Sequence, residues 1–300
     1  MIKVSHEMPI CLLQNGMEKK YNDYSYALVH LFDEHEAYYK YFVNALREKR
    51  FVILDNSIFE LGEAFDMEDF AIKVRKLVRD AGDDASNLMY IIPDVLDSRS
   101  GTVRNLQKWK KEYGDMPGRS MAVAQGETMT EIVQCFAQLR HEVDRVGISF
   151  NCAAYEDYFE KMGQYDPENH TEIERLEVWK RGRQLFVETL YHLGLLEDTE
   201  VHLLGVALPD EFKYYTTEHK ELGRPIKSLD TSNPVVHGLL GIRYSSEFGL
   251  DQKQSIKLAE MIDMPASKIS LKNMQLIMYN LDTFRSLNHL PRPIPGVISA

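Results

Sequence analysis

Apolar residues fall along this chain in short continuous runs, and most runs are followed by a segment with one apolar face. The runs are PICLLQ (9–14), YALVHLF (26–32), FVILDNS (51–57), NLMYIIPDV (87–95), SMAVAQG (120–126), RVGISF (145–150), HLLGVAL (202–208) and IKSLDTSNP (226–234). Between them, EAYYKYFVNALREKR, MEDFAIKVRKLVRDAG, TVRNLQKWKKEYG, MTEIVQCFAQLRHEV and the stretch from Glu172 to Leu195 carry the apolar spacing of amphipathic helices. The runs are too continuously apolar for strands with one wet face, and read instead as parallel strands covered on both sides. Strands alternating with helices indicate an α/β design. Eight runs favour a closed (β/α)8 TIM barrel over the alternative, an open doubly wound sheet.

One barrel domain over residues 1–300 is therefore expected. The polar, aromatic segment 151–175 reads as an irregular insertion after the sixth strand, and the proline-rich stretch 281–300 as a surface tail. The connection LQNGMEKKYNDYSYA reads as a turn or irregular segment, which leaves strand two the least defined.

Composition narrows the setting. The 300 residues are 44% hydrophobic and 27% charged, as in globular chains. No window reaches about 18 uncharged apolar residues, so no membrane span is expected, and MIKVSHEMP lacks a signal-peptide pattern. These features imply a cytoplasmic location. Cys11, Cys135 and Cys152 are scattered and form neither a disulfide framework nor a metal knuckle. A net charge of −11 argues against nonspecific coating of DNA. Neither G-x-G-x-x-G nor a P-loop is present, and His30, His202 and His237 belong to no metal-binding spacing.

The chemistry-bearing pattern is positional. Asp55, Asp94, Gln125 and Asp230 each end an apolar run, Gly147 lies within one, and Gly205 sits in HLLGVAL. In a barrel the C-terminal strand ends converge on one face, where active sites form. Each aspartate also has a plainer reading. Asp55 with Asn56 and Ser57 suits an Asx turn, Asp94 a helix cap, and Asp230-Thr231-Ser232-Asn233-Pro234 a helix start. Asp97 simply opens the segment toward Thr102. Three carboxylates in register favour a shared mouth, where they suit glycosyl transfer; a lyase, an isomerase and a metal-dependent hydrolase remain open.

In that order the segments LDNSIFE, IIPDVLD, AVAQG, VGISF, LLGVALPDE and SLDTSNP resemble the strand-end motifs of the tRNA-guanine transglycosylase family, over residues 50–235. The resemblance implies base exchange through a covalent glycosyl–enzyme intermediate. Asp230 would be the nucleophile and Asp55 the general acid/base. Asp94 and Gln125 would read the base edge, with backbone contacts from Gly147 and Ile148. Asn56, Ser57 and Gly205 complete the implied substrate-binding set. The chain departs from the family in having no cysteine after Cys152, Ser57-Ile58 in place of a glycine pair, and TSNP after Asp230. These departures point to the DNA-modifying phage and bacterial branch, which inserts a 7-deazaguanine such as preQ0. DNA is then the implied partner and host cytoplasm the setting if the source is viral. tRNA is the alternative acceptor; other nucleoside N-glycosyl transfer or hydrolysis, or modified-base binding without turnover, are the alternative activities. A homo-oligomer or accessory DNA-modification proteins are compatible, and no metal, redox cofactor or ATP is implied.

Overall fold

Eight parallel strands form one sheet in the order β1-β8-β7-β6-β5-β4-β3-β2. The computed structural model describes residues 2–150, 152–245 and 257–293. The strands are β1 (Lys3–Ser5), β2 (Ser25–Leu28), β3 (Val52–Asp55), β4 (Leu88–Ile91), β5 (Arg119–Ala124), β6 (Arg145–Ile148), β7 (Val201–Leu203) and β8 (Ile226–Asp230). Helices follow the strands and cover the sheet from outside. This is the expected (β/α)8 barrel rather than the doubly wound sheet.

Burial on both strand faces explains the near-continuous apolar runs. Val52, Ile53, Leu54, Leu88, Met89 and Ile91 are all essentially sealed from solvent. The covering helices start and stop where side chains allow it. Asp66 accepts from the Glu68 and Asp69 N–H groups to open Met67–Ala81, and Gly82 closes that helix at φ 104°. Thr171 and Glu174 form a capping box that starts the long helix Glu172–His192.

The barrel is least regular where β1 meets β2. The Asp23 N–H donates to the Val4 carbonyl at 2.8 Å, and the Val4 N–H donates to Asp23 Oδ2 at 2.8 Å. One level higher, Asn22 receives the His6 N–H at 2.9 Å and donates to the His6 carbonyl at 2.8 Å. A side-chain amide thus takes the place of a strand ladder.

Three expectations about the elements change. PICLLQ is not the first strand: Ile10–Gln14 is helical and packs Leu12 and Leu13 inward, while the three residues Lys3–Ser5 pair with β8. The connection expected to be irregular contains the short helix Met17–Tyr21. After β6 an extra helix, Ala153–Lys161, and an irregular stretch precede Glu172–His192, as the insertion predicts; Asn151, its first residue, lies outside the described residues. At the C-terminal end, helix Leu271–Leu287 reaches into the stretch expected as a tail. Asn288 is buried and donates to the Phe284 carbonyl, and residues 294–300 lie outside the described residues. No helix among the described residues is long and apolar enough to cross a membrane.

Candidate active site

The C-terminal ends of the strands open into a cavity of about 310 Å³. At these strand ends the register sets Ser5 opposite Asp230 and Leu28 opposite Asp55. Asp55, Asn56, Ser57, Asp94, Gln125, Gly205 and Asp230 all line it, so most of the expected site residues converge; Asp97, expected only to open the next segment, lines it too. Gly147 and Ile148 do not. A Cβ on Gly147 would lie 2.7 Å from Leu204 Cδ1 and 3.1 Å from Val123 Cγ2, so this glycine makes room for packing inside the barrel. Ile148 is fully buried and its carbonyl accepts the Leu204 N–H at 2.9 Å.

Asp55 combines both readings that the sequence allows. Its Oδ1 accepts the Ser57 N–H in an Asx-type turn, while the Tyr26 hydroxyl donates to Oδ2 from β2. Ser57 adopts φ 62° to aim that N–H, a strained conformation for a residue with a Cβ. Burial raises the Asp55 carboxyl to about 7, aided by the negative charges of Asp230 and Asp94 and opposed by its two donors.

Asp94 caps no helix; Ser98 does that for Arg99–Tyr113. Instead, Asp94 sits between two side-chain amides. Asn56 Nδ2 donates to one oxygen and Gln125 Nε2 to the other, both at 2.7 Å. Asn56 also donates to the Ile92 carbonyl, and Gln125 Oε1 accepts the Asp97 N–H, so both amide orientations are fixed. Burial nevertheless raises the Asp94 carboxyl.

Asp230 is not a cap for Asn233–Leu239 either, although Pro234 does open that helix. Its oxygens receive His202 Nε2 at 3.0 Å and the Gly205 N–H at 3.2 Å. Gly205 stands at φ 61°, which turns its N–H toward the carboxylate. Thr231 and Asn233 pin the rim by donating to the Val206 and Ala207 carbonyls at 2.6 and 2.7 Å.

Sequence reasoning missed Glu7, Tyr26 and the part played by His202. Glu7 follows β1 and lines the cavity; its carboxyl is pushed well up by burial and by Asp230, Glu60 and Asp55. It escaped notice because the first strand was expected at 9–14. Tyr26 was visible only as one tyrosine among many. Among the described residues, the lining carries six carboxyl groups (Glu7, Asp55, Glu60, Asp94, Asp97, Asp230) and no lysine, arginine or histidine. Leu96, Phe59, Phe150 and Trp179 supply apolar walls. The arrangement suits hydrogen-bond donors and proton exchange, and opposes anions. Among the described residues no group of three or more His, Cys, Asp or Glu side chains is disposed to hold a metal ion.

No family model matches the chain, and no curated protein matches it. Solved structures do match; one is a mandelate racemase/muconate lactonizing enzyme-like protein from Rubrobacter xylanophilus DSM 9941, with 14% identity and a TM-score of 0.43. That match covers 78% of this chain and 52% of the other, so the chain spans about half the length of that protein. The absence of any matching family model or curated protein overturns the resemblance to the tRNA-guanine transglycosylase family, and with it the assignments as a glycosyltransferase and as an enzyme of 7-deazaguanine insertion. The physical reason lies in the shortness of the motifs. An apolar strand ending in a carboxylate, an amide or a glycine is what any barrel needs to build a polar mouth, so such motifs report architecture before lineage.

Proposed function

We propose that this barrel is an acid–base enzyme whose substrate is a small neutral or cationic molecule rich in N–H or O–H donors. One observation carries the reading: among the described residues, six carboxyl groups and no cationic side chain line a single cavity, and one of them, Asp55, titrates near 7. A carboxyl of that kind is populated in both forms at neutral pH, which is the condition for moving a proton in either direction.

The other groups then divide the work. Asp94, held between Asn56 and Gln125, keeps its remaining lone pairs for ligand donors and leaves little freedom to the groups that meet them. Asp230 offers a second acceptor across the cavity. Tyr26 donates to Asp55 and stabilises its ionised form whenever the proton has moved to the ligand. Phosphates and carboxylates enter such a site only against like charge. Phe150 and Trp179 give the apolar part of a ligand a dry surface.

Thermal-shift and calorimetric titration at pH 7 with benzamidine and benzoate tests the reading, since the two share a ring and differ in charge. Benzamidine should raise the melting temperature, benzoate should not, and Asp94→Asn should weaken the benzamidine effect. Binding of benzoate in preference to benzamidine would overturn the proposal. With any substrate of this class, Asp55→Asn should abolish turnover while leaving benzamidine affinity within a few fold.

A further inference from the structure

Beneath Asp230 runs a line of buried polar groups that the proposed chemistry does not touch. His202, on β7, is fully sealed from solvent and does not line the cavity. Its Nε2 meets Asp230 Oδ1 at 3.0 Å, and its Nδ1 meets Ser228 Oγ at 2.8 Å. Ser228 stands opposite His202 in the strand register and two residues before Asp230 on β8. Its Oγ accepts from Arg145 Nη1 at 2.9 Å. Arg145 in turn donates through Nη2 and Nε to Glu200 Oε2, at 2.7 and 3.2 Å, and Arg119 also holds that oxygen. The line crosses the barrel interior from the N-terminal end of β6 to the floor of the mouth.

Hydrogen-bond logic orients every member. An arginine only donates, so Ser228 Oγ accepts from Arg145 and has its own hydrogen for Nδ1. A carboxylate only accepts, so Nε2 carries the hydrogen toward Asp230. A second proton on Nδ1 would face the Ser228 hydroxyl and, behind it, the Arg145 guanidinium. The other groups around the ring do not invite one. Tyr26 stacks on it at 5.9 Å with a 13° angle, Tyr24 meets it edge-on at 6.5 Å, and the Arg183 guanidinium adds positive potential. Asp230 pulls the other way, but burial prevails and holds the imidazole below its ordinary range.

We propose that Ser228, oriented by Arg145 and Glu200, is a positioning residue that keeps His202 neutral in the Nε2–H form selected by Asp230, so that Asp230 always has one internal donor and keeps its outward lone pairs for the ligand. His202 is then a fixed donor rather than a proton carrier. The role assigned to Asp230 rests on the acid–base reading above; the tautomer itself does not.

Nitrogen-15 NMR of histidine-labelled protein tests it, with the His202 signals among the ten histidines identified by their loss in His202→Gln. In the ligand-free protein His202 should show the Nε2–H pattern at pH 7 and take its second proton only below the range of an ordinary histidine. Ser228→Ala removes the hydrogen donated to Nδ1, so the imidazole should take up a second proton at higher pH than in the wild type, while Nε2 keeps its hydrogen toward Asp230. Ser228→Thr, which keeps the hydroxyl, should restore the wild-type pattern. Benzamidine affinity should fall about tenfold in Ser228→Ala and recover in Ser228→Thr. An imidazolium or an Nδ1–H tautomer in the wild type at pH 7 would refute the proposal. So would an unchanged imidazole titration in Ser228→Ala. A wild type with the expected tautomer but no benzamidine binding would uphold the lock and sink the ligand reading instead.

Discussion

Buried carboxylates keep different company in two regions of this molecule. Away from the mouth each faces a guanidinium. Glu18 is 2% exposed and lies 2.8 Å from Arg50, and Glu211 is fully buried against Arg183 in a two-pronged pair at 2.7 Å on each side. Glu200, only partly buried, likewise bridges Arg145 and Arg119. At the mouth, Asp55, Asp94 and Asp230 are almost as buried but meet a phenol, two amides, backbone N–H groups and an imidazole. A guanidinium neutralises a carboxylate and uses up its lone pairs in plane; neutral donors orient it and leave its charge uncompensated. The first region has settled its electrostatics within the protein. The second has left them for something that binds.

Variants that remove one charge from each region should therefore move stability in opposite directions. The largest effect belongs to Arg183. Besides Glu211 it donates to the Leu204 carbonyl at 2.6 Å, so Arg183→Leu strands a buried charge and frees the turn at Gly205. A loss of about 3–5 kcal/mol is expected in urea denaturation. Recovery of much of it in Arg183→Leu/Glu211→Leu would show that the stranded charge, and not the lost packing, sets the cost; no recovery would refute that assignment.

Asp55→Asn should do the reverse, in a pH-dependent way. The carboxyl titrates near 7 in the folded chain and near 3.8 when unfolded. Between those values the unfolded chain releases a proton that the folded chain retains, so wild-type stability falls as pH rises, and the full penalty persists above 7. A neutral amide at this position carries no such penalty. The stability advantage of Asp55→Asn should be absent near pH 4, grow through pH 7 and level off above it, at most on the order of 4 kcal/mol. A flat difference across that range would show that Asp55 is an ordinary surface-like carboxylate.

How far these regions are legible in sequence depends on what each needs. Asp55, Asp94, Gln125 and Asp230 could be read because a strand buried on both faces makes a continuous apolar run, and its first polar residue marks the mouth. Lys3–Ser5 could not, because three residues carry no periodicity, whereas PICLLQ satisfies the apolar criterion of strand and helix alike. Pro9 at the start of that run was the available signal for a helix. The His202–Asp230 contact is set by the register of β7 on β8 and has no counterpart in spacing. Gly147 was misread for a related reason: glycine marks close approach, and sequence does not say whether a ligand or Leu204 is what approaches.

The smallest effects test the two sides of the mouth against each other. Ser57 and Gly205 both adopt left-handed backbone, at φ 62° and φ 61°, and both use it to aim an N–H at a carboxylate, Asp55 in one case and Asp230 in the other. One side tolerates a Cβ in that conformation and the other has none. A Cβ added to Gly205 would have room, since its nearest neighbour beyond the adjoining residues is Phe150 Cβ at 3.9 Å. Gly205→Ala should therefore cost only the backbone strain, about 1 kcal/mol in urea denaturation. Ser57→Gly relieves the same strain while loosening the unfolded chain, and should stay within about 0.5 kcal/mol of wild type. If both variants destabilise equally, left-handed geometry is not what the two positions share. If Gly205→Ala costs several kcal/mol, the N–H on Asp230 is worth more than the conformation that delivers it, and the floor of the mouth is stiffer than its opposite wall.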